Sequence, residues 1–450
     1  MKIETFVDEG LAHNSYAVLS KNQIAVVDPS RDIQPYINFA SANNAKIVAI
    51  IETHPHADFV SGHLELKKKT GAPIYVSSLL GAKYDFSAFE EGAKINIGEL
   101  VLSSINTPGH SPDSISIIVS ENGTDKAVLT GDTLFVGDVG RPDLREGVGN
   151  IQATKEDLAA SMYDSTRNKL MKLQDEVLVL PAHGAGSLCG KNISSDLYST
   201  IGKELKSNYA LQEMSKEKFV SIITADNPLI PKYFPFDVEL NRSGAPDLEE
   251  SIAKIPVLTE AKLIENDKVV IDARDHYVFK KKHIRGAFNL QDGDKFETWL
   301  GTIVAPESRI VIVTDSIELA NTLIRKASKI GYESLVDYAI LASDELFQQN
   351  PTESIALLDY QNFLKEQDNF FILDIRNKGE VANGKFFDSS LNIPLADLED
   401  EIAKLKNADN IVVHCAAGYR SAAGVSILKK HLPSGVKIYD LSFDVEKHKN

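Results

Sequence analysis

Four places in this 450-residue chain combine imidazole and carboxylate side chains in the way a metal centre requires. Thr53-His54-Pro55-His56-Ala57-Asp58 directly follows the apolar run from Lys46 to Ile51. His110 in Thr-Pro-Gly-His, Asp132 in Thr-Gly-Asp and His183 in Pro-Ala-His follow runs at 100–105, 127–129 and 177–180. If these runs are strands of two packed sheets with one exposed edge in common, the ligands meet in one pocket, where neutral imidazole and ionised carboxylate suit zinc or iron. A lone His-Pro-His would carry little; four ordered strand ends carry the inference. His13 and His63 have no such setting and read as structural.

A second chemistry surrounds Cys415. Cys415-Ala416-Ala417-Gly418-Tyr419-Arg420-Ser421 follows the apolar run at 411–414 and precedes a helical stretch with Ala422, Val425, Leu428 and Leu432 on one face. A thiol there meets backbone N–H groups and the positive end of a helix, which favour a thiolate and then a persulfide anion. Gly418 permits the tight turn, Arg420 can bind an oxyanion, and Ser421 can cap or donate a hydrogen bond. Cys189, in Gly-Ala-Gly-Ser-Leu-Cys-Gly-Lys shortly after His183, is a possible thiol on the substrate side, with Lys191 near enough in sequence to steady a thiolate. Packing is the competing role for it, because cysteine is among the most buried residue types.

The elements that must position these groups read as α/β. Up to about Asn208, short β-branched runs alternate with turns and helical stretches, as in a domain built on mixed sheets. Ser15 to Leu19 and Gln23 to Val27 flank Ser20-Lys21-Asn22, and the runs at 114–119 and 127–129 flank a turn containing Asn122-Gly123. Thr154 is set to cap a helix reaching about Leu173, with Asp157 three residues on. Between Asp226 and Glu250, Pro228, Pro231, Pro235 and Pro246 rule out a long helix, while Tyr233, Phe234 and Phe236 pack the segment down. A boundary falls near Ala245. Beyond it the pattern repeats: VVIDAR at 269–274 and FILDIR at 371–376 each lead to a second apolar strand, at 310–313 and 411–414, and then to a helix. A linker at 348–352 separates the two copies. The expected domains are 1–245, 246–350 and 351–450, and at roughly 150 residues per domain the length agrees.

Composition narrows the partners. Hydrophobic residues at 43% and charged residues at 25% exclude disorder and collagen. With 48 Lys and Arg against 64 Asp and Glu, the net charge of −16 repels phosphate backbones and anionic lipid, so neither nucleic acid nor membrane is expected. Two cysteines far apart cannot make a disulfide framework, and the start MKIETFVDEG lacks a basic stretch followed by an apolar run. Nowhere do 18 apolar residues follow one another. A cytoplasmic location is expected.

On its four histidine and aspartate motifs the first half resembles the metallo-β-lactamase fold family, and within it the persulfide dioxygenases more than the glyoxalase II hydrolases. The resemblance implies an αββα sandwich. Two-metal members carry a histidine after the motif's aspartate, where this chain has Phe59, so one metal is expected. In the dioxygenases the matching positions that hold a single Fe(II) are His54, His110 and Asp132. That set leaves open positions for a substrate sulfur and dioxygen, and His56, Asp58 and His183 would then orient ligands or line the pocket. Arg141 in GDVGRPDL matches a dioxygenase arginine that would hold an anionic substrate or orient a ligand. The stretch around Cys189 is similar to rhodanese-fused members.

The Cys415 loop resembles the active-site loop of rhodaneses, with Asp374 to Arg376 and Leu391 to Pro394 matching their upstream motifs. Two departures alter substrate access: GKFFDSSLN replaces the usual glycine-histidine-isoleucine pattern, and the end DLSFDVEKHKN lacks a double glycine. The middle copy matches upstream, with Asp272-Ala273-Arg274, Phe279, His283 to Ala287 and Asn289, but reads Thr314-Asp315-Ser316 where the thiol belongs. It is therefore inactive in sulfur transfer, and His283 is structural. The whole chain thus resembles a fusion of persulfide dioxygenase, inactive rhodanese and active rhodanese.

The implied activity is oxidation of a small persulfide, of glutathione, coenzyme A, cysteine or bacillithiol, to thiol and sulfite. Cys415 would then pass sulfane sulfur to sulfite, giving thiosulfate. A dimer or tetramer is implied by the same relatives. The competing readings are a zinc thioester hydrolase of the glyoxalase II type and a persulfide-sensing scaffold without catalysis.

Overall fold

The computed structural model describes residues 1–148, 153–225, 227, 229–441 and 445, in two compact units. Asp226, Pro228 and most of the final DLSFDVEKHKN, among the features read from sequence, lie outside the described residues. The first unit comprises Met1–Ser251 with Ser328–Gly331.

It is built on two six-stranded sheets. One carries Lys2–Asp8, His13–Ser20, Gln23–Val27, Lys46–Ile51, Ile74–Val76 and Ser87–Ala88 in chain order. The other runs Ser199–Thr200, Leu178–Pro181, Thr124–Gly131, Ile115–Glu121, Leu100–Asn106, Lys94–Ile97. Alternate residues of both sheets meet in one apolar layer: Tyr16, Val18, Val27 and Ile51 face Leu100, Leu102, Ile117 and Leu129. The opposite faces are covered as well. Tyr36, Ala40 and Leu66 of helices Gln34–Ala42 and His63–Thr70 pack on the first sheet. Ala159, Met162, Ile201 and Phe219 from helices Lys155–Asn168, Ile201–Ser207 and Lys216–Thr224 pack on the second. Burial on both faces explains why central strands such as His13–Ser20 are hidden along their whole length rather than alternating. The result is the αββα sandwich.

Strand direction puts the chemistry at one edge. Lys46–Ile51 runs parallel to Gln23–Val27, and Leu178–Pro181 parallel to Thr124–Gly131. Leu100–Asn106, two antiparallel steps from Thr124–Gly131, points the same way. The loops bearing Asp132, His183 and His110 therefore leave the second sheet at a common end.

Two boundaries differ from expectation. The helix begun by Thr154, whose capping box with Asp157 is complete, ends at Asn168 because Lys169 leaves helical geometry, and a separate short turn covers Leu170–Lys172. A ten-residue helix, Phe234–Ser243, forms in the proline-rich segment, since Pro235 sits in its first turn where no N–H is needed.

The second unit, Ile252–Ala327 with Tyr332–Asn450, holds two five-stranded parallel sheets of identical order. The first runs Val257–Leu258, Val336–Leu341, Ile310–Thr314, Val269–Asp272, Phe288–Asn289; the second runs Ala356–Leu357, Lys437–Asp440, Asn410–His414, Phe371–Asp374, Leu391–Asn392. The repeat extends to single hydrogen bonds. Arg274 forks onto Asp272 and Arg376 onto Asp374, the shortest contact being 2.6 Å in each. Asn289 donates to the carbonyls of Asp272 and Arg274 at 2.9 and 2.8 Å, and Asn392 to those of Asp374 and Arg376 at 2.8 Å each. The stretch expected as a linker is not one. Gln348 lies in the last turn of the helix Asp344–Gln349, Asn350 donates to Lys262 and Leu346 carbonyls at 3.0 and 2.8 Å, and Thr352–Glu353 pairs with His283–Ile284. Among the described residues, no helix is long and apolar enough to cross a membrane.

Candidate active sites: a buried metal centre and a thiol loop

His54, His110 and Asp132 each offer one buried ligand atom, and these atoms lie within 4.8 Å of one another. Asp132 Oδ2 is 3.8 Å from His54 Nε2 and 3.6 Å from His110 Nε2. The neighbours decide where the protons sit. His110 Nδ1 is 2.9 Å from the Arg141 carbonyl, which can only accept, so Nδ1 carries the hydrogen and Nε2 presents a lone pair. His54 Nδ1 lies 3.0 Å from Thr53 Oγ1, whose own proton goes to Asp28 at 2.8 Å, so this nitrogen also donates and Nε2 is again bare. Burial drives the pKa of both histidines down, keeping them neutral. Asp132 is the opposite case: burial opposes its charge, but His183 and the other histidines outweigh it and hold the carboxyl well below its usual range. Two neutral imidazoles and a carboxylate are the protonation states a metal needs. His54 Nε2 and Asp132 Oδ2 have no hydrogen-bond partner, and three lone-pair atoms facing one another are repulsive unless a cation lies between them. The residues fit a metal.

Around this set, His183 joins two carboxylates. Its Nδ1 is 2.8 Å from Asp132 Oδ1 and its Nε2 2.8 Å from Asp58 Oδ2. Burial disfavours its charge, but the two carboxylates prevail and raise its pKa well above the ordinary value. His56 faces Asp28 at 3.2 Å, and Phe59 packs its ring against His13 and His56 with centroids 3.9 and 4.4 Å apart. His13, read from sequence as a structural residue, is thus beside the cluster, while His63 lies against Tyr84. Gly140 is required by close approach: a Cβ there would strike the Asp132 carbonyl and come within 2.9 Å of His110 Cβ.

Arg141 is buried, and its guanidinium donates to Asp143 at 3.1 and 2.7 Å and to the Leu188 carbonyl at 3.1 Å. Its backbone carbonyl, rather than its side chain, is what touches His110. Cys189 belongs to the cluster, its sulfur within 4.8 Å of ligand atoms of Asp132 and His183. The expectation for Lys191 is overturned. Its ammonium reaches the carbonyls of Ile222 and Ala225, and burial followed by the charges of Asp58 and Asp132 pushes the Cys189 thiol up, away from thiolate.

Two contributors escaped the sequence reading. Arg145, four residues beyond Arg141, is buried and donates to Ser111 Oγ at 2.6 Å, and its charge depresses the pKa of both His54 and His110. Its place directly after the same motif was the available signal. Asn241, from the helix Phe234–Ser243, donates to the carbonyls of His56 and Phe59 at 2.8 and 2.7 Å and accepts from Ser61 N–H at 2.8 Å, pinning the loop that carries three site residues. Nothing local marked it.

In the second unit Cys415 is buried, and its sulfur accepts the Gly418 N–H at 3.1 Å. Gly418 has φ 84°, the left-handed region that turns the chain into helix Tyr419–His431. Ser421 Oγ donates to the Gly418 carbonyl at 2.9 Å, and Arg420 forks onto Glu380 at 2.6 and 2.8 Å. His414, the residue before the thiol, is buried and its pKa falls to about 4.

Comparison with known proteins agrees with this architecture. The Metallo-beta-lactamase superfamily model matches residues 8–183, and the Rhodanese-like domain model matches 259–339 and 358–447. The chain is 30% identical to the probable metallo-hydrolase YqgX of Bacillus subtilis, over 38% of this chain and 84% of that protein. It is 27% identical to the mitochondrial persulfide dioxygenase ETHE1 of Bos taurus, over 44% and 68%, and 26% identical to the hydroxyacylglutathione hydrolase GloC of Haemophilus influenzae, over 42% and 88%. Among solved structures, a metallo-beta-lactamase from Staphylococcus aureus superposes with a TM-score of 0.68 at 28% identity, covering 75% of this chain and 99% of its own. The chain belongs to the metallo-beta-lactamase superfamily, as a fusion of that fold with C-terminal rhodanese-like domains.

Proposed function

We propose that the protein oxidises a small-molecule persulfide with dioxygen at a single Fe(II) held by His54, His110 and Asp132, and passes sulfane sulfur to the resulting sulfite through Cys415. The observation that carries the first half is the pair of histidines whose Nδ1 protons are fixed by Thr53 and Arg141, leaving two nitrogens and one carboxylate oxygen aimed at one point. Bound there, ferrous iron would supply redox chemistry and open positions for sulfur and gas together. The chain's part is to orient its ligands, to pack the rings of Phe59 and His13 beside them, and to set His183 between Asp58 and Asp132. One persulfide, one dioxygen and one water give one thiol, one sulfite and two protons. At the second site the Cys415 thiolate attacks the outer sulfur of a persulfide, breaking its S–S bond and expelling the thiolate. Sulfite then takes that sulfur, restoring Cys415 and giving thiosulfate. The thiol carrier is one of glutathione, coenzyme A, cysteine or bacillithiol, in a homo-oligomer located in the reducing cytoplasm, in keeping with two unpaired cysteines.

A second reading, thioester hydrolysis at two metals, draws on the similarity to GloC and on a further cluster, His56, Asp58 and His183, whose ligand atoms also lie within 4.8 Å. The hydrogen bond of His183 Nδ1 with Asp132 and the ring of Phe59 against His56 favour the one-metal reading. Anaerobic purification with metal quantitation, followed by oxygen uptake on glutathione persulfide and hydrolysis of lactoylglutathione, separates them. One iron per chain with oxygen uptake supports the dioxygenase; two metals with hydrolysis alone refutes it. Replacing Cys415→Ser should leave oxygen uptake intact and abolish thiosulfate; unchanged thiosulfate would remove Cys415 from the scheme.

A further inference from the structure

The middle repeat carries no thiol, yet one of its side chains ends inside the thiol loop of the other repeat. Lys280 lies on the helix His276–Lys281 and is buried to 0% side-chain exposure. Its Nζ is 2.8 Å from Asp440 Oδ2, itself at 0%, and donates to the Gly418 carbonyl at 3.1 Å. Asp440 ends the strand Lys437–Asp440 and pairs with Val413, two residues before the reactive cysteine. The backbone of Lys280 is anchored too, its carbonyl accepting the N–H of Ile355 at 2.8 Å.

A buried ion pair is a poor way to stabilise a protein, because desolvating both charges costs about as much as their attraction returns. Well-packed apolar residues would do as well. What an apolar pair cannot do is hold a carbonyl. The Gly418 carbonyl has two side-chain donors, Ser421 from its own helix and Lys280 from the other repeat, while the Gly418 N–H rests on the Cys415 sulfur. Peptide planes are rigid, so fixing this carbonyl fixes the plane joining Gly418 to Tyr419 and directs the Tyr419 N–H, the first of the helix, the opposite way. Glycine in the left-handed region is the least restrained residue in such a loop, and an outside clamp on it removes that freedom. We propose that Lys280 is a positioning residue for sulfur transfer at Cys415, supplied by the repeat that lacks a thiol. The middle repeat is thereby a structural part of the neighbouring site.

This inference rests on the reading of Cys415 as a sulfur carrier, and the test keeps the two apart. In the full-length iron-loaded protein, Lys280→Met is combined with Asp440→Asn so that no charge is stranded, and Lys280→Arg is made as the conservative variant. Under oxygen-free conditions each is mixed with glutathione persulfide and quenched, and the Cys415 peptide is weighed for one added sulfur. The Met/Asn protein should take up sulfur about tenfold more slowly, the cost of one charge-assisted hydrogen bond. Its half-saturating persulfide concentration, melting temperature and aerobic oxygen uptake should stay near wild type, and Lys280→Arg should recover most of the rate. Wild-type speed in the Met/Asn protein overturns the role of Lys280 while leaving Cys415 in place. Equal slowness in Lys280→Arg, or a fall in rate that merely tracks a fall in melting temperature, overturns it as well. Absence of added sulfur on wild-type Cys415 ends the carrier reading and the role of Lys280 with it.

Discussion

Asn241 is the most exacting place to test whether the metal loop has been understood, because its side chain touches nothing that reacts. Replacing it with leucine, of similar size, strands three buried groups: the carbonyls of His56 and Phe59 and the N–H of Ser61, now bonded at 2.8, 2.7 and 2.8 Å. Each buried polar group left unpaired costs roughly 1–3 kcal/mol, so even the low end for all three comes to about 3 kcal/mol. That is a large part of the ~5–15 kcal/mol a domain has. At roughly 2–4 °C per kcal/mol for a domain of this size, the first unit should melt about 6–12 °C lower. The looser loop should also hold metal more weakly, by about 10–100-fold, as when an outer partner of a ligand is lost. Asn241→Asp should do no better. It keeps an acceptor for Ser61 but turns a carboxylate oxygen towards two carbonyls. The assay is a thermal melt of the metal-free protein together with a metal-binding titration. Asn241→Leu melting within about 2 °C of wild type and binding metal equally would mean that Asn241 does not hold this loop.

Other outcomes follow from single contacts. Asp132→Ala removes the carboxylate facing both His54 and His110, so metal measured per chain should fall at least about tenfold and oxygen uptake with it, while sulfur loading of Cys415 persists. Retention of a full complement of metal would remove Asp132 from the ligand set. Hydrogen bonds from Arg420 hold the Glu380 carboxyl below its usual value, so their contribution is present above about pH 4.3 and is lost as pH falls through the lower folded value. Glu380→Gln should therefore narrow its stability deficit against wild type in urea melts as pH drops from 7 towards 3. The deficit itself should be small, below about 1 kcal/mol, because the carboxylate is partly exposed. A deficit that grows on acidification contradicts the sign.

What the chain disclosed unaided was whatever is written locally. The strand at 46–51, the cap at Thr154 and the repeat of VVIDAR with FILDIR need only neighbouring residues to be recognised, and the structure has them. The convergence of the four histidine and aspartate motifs was also legible, because they recur in order after strands, and one parallel and two antiparallel pairings bring the strand ends before His110, Asp132 and His183 to one edge. The contributions that were missed act over long separations. Asn241 reaches 185 residues back to His56, and Lys280 reaches 138 residues forward to Gly418. Each is an ordinary polar residue on an ordinary helix until folding supplies its partner. Lys191 is the reverse case: it lies two residues from Cys189 in sequence, yet its side chain goes to the carbonyls of Ile222 and Ala225.

The two repeats also provide an internal control for motif reading. Asp272, Arg274 and Asn289 form the same clamp as Asp374, Arg376 and Asn392, down to the carbonyls that each asparagine grips. One repeat bears a thiol in its loop and the other bears Asp315, which cannot carry sulfur. A device found intact where there is no thiol cannot owe its form to thiol chemistry. The clamp ties the end of one strand to its neighbour and satisfies buried backbone groups, and so belongs to the fold. The proposed sulfur transfer then depends on the short stretch from Cys415 to Ser421 and on whatever holds that stretch still. A substitution such as Arg274→Met should accordingly lower the melting temperature of the second unit, and alter sulfur transfer only as far as it displaces the helix that carries Lys280.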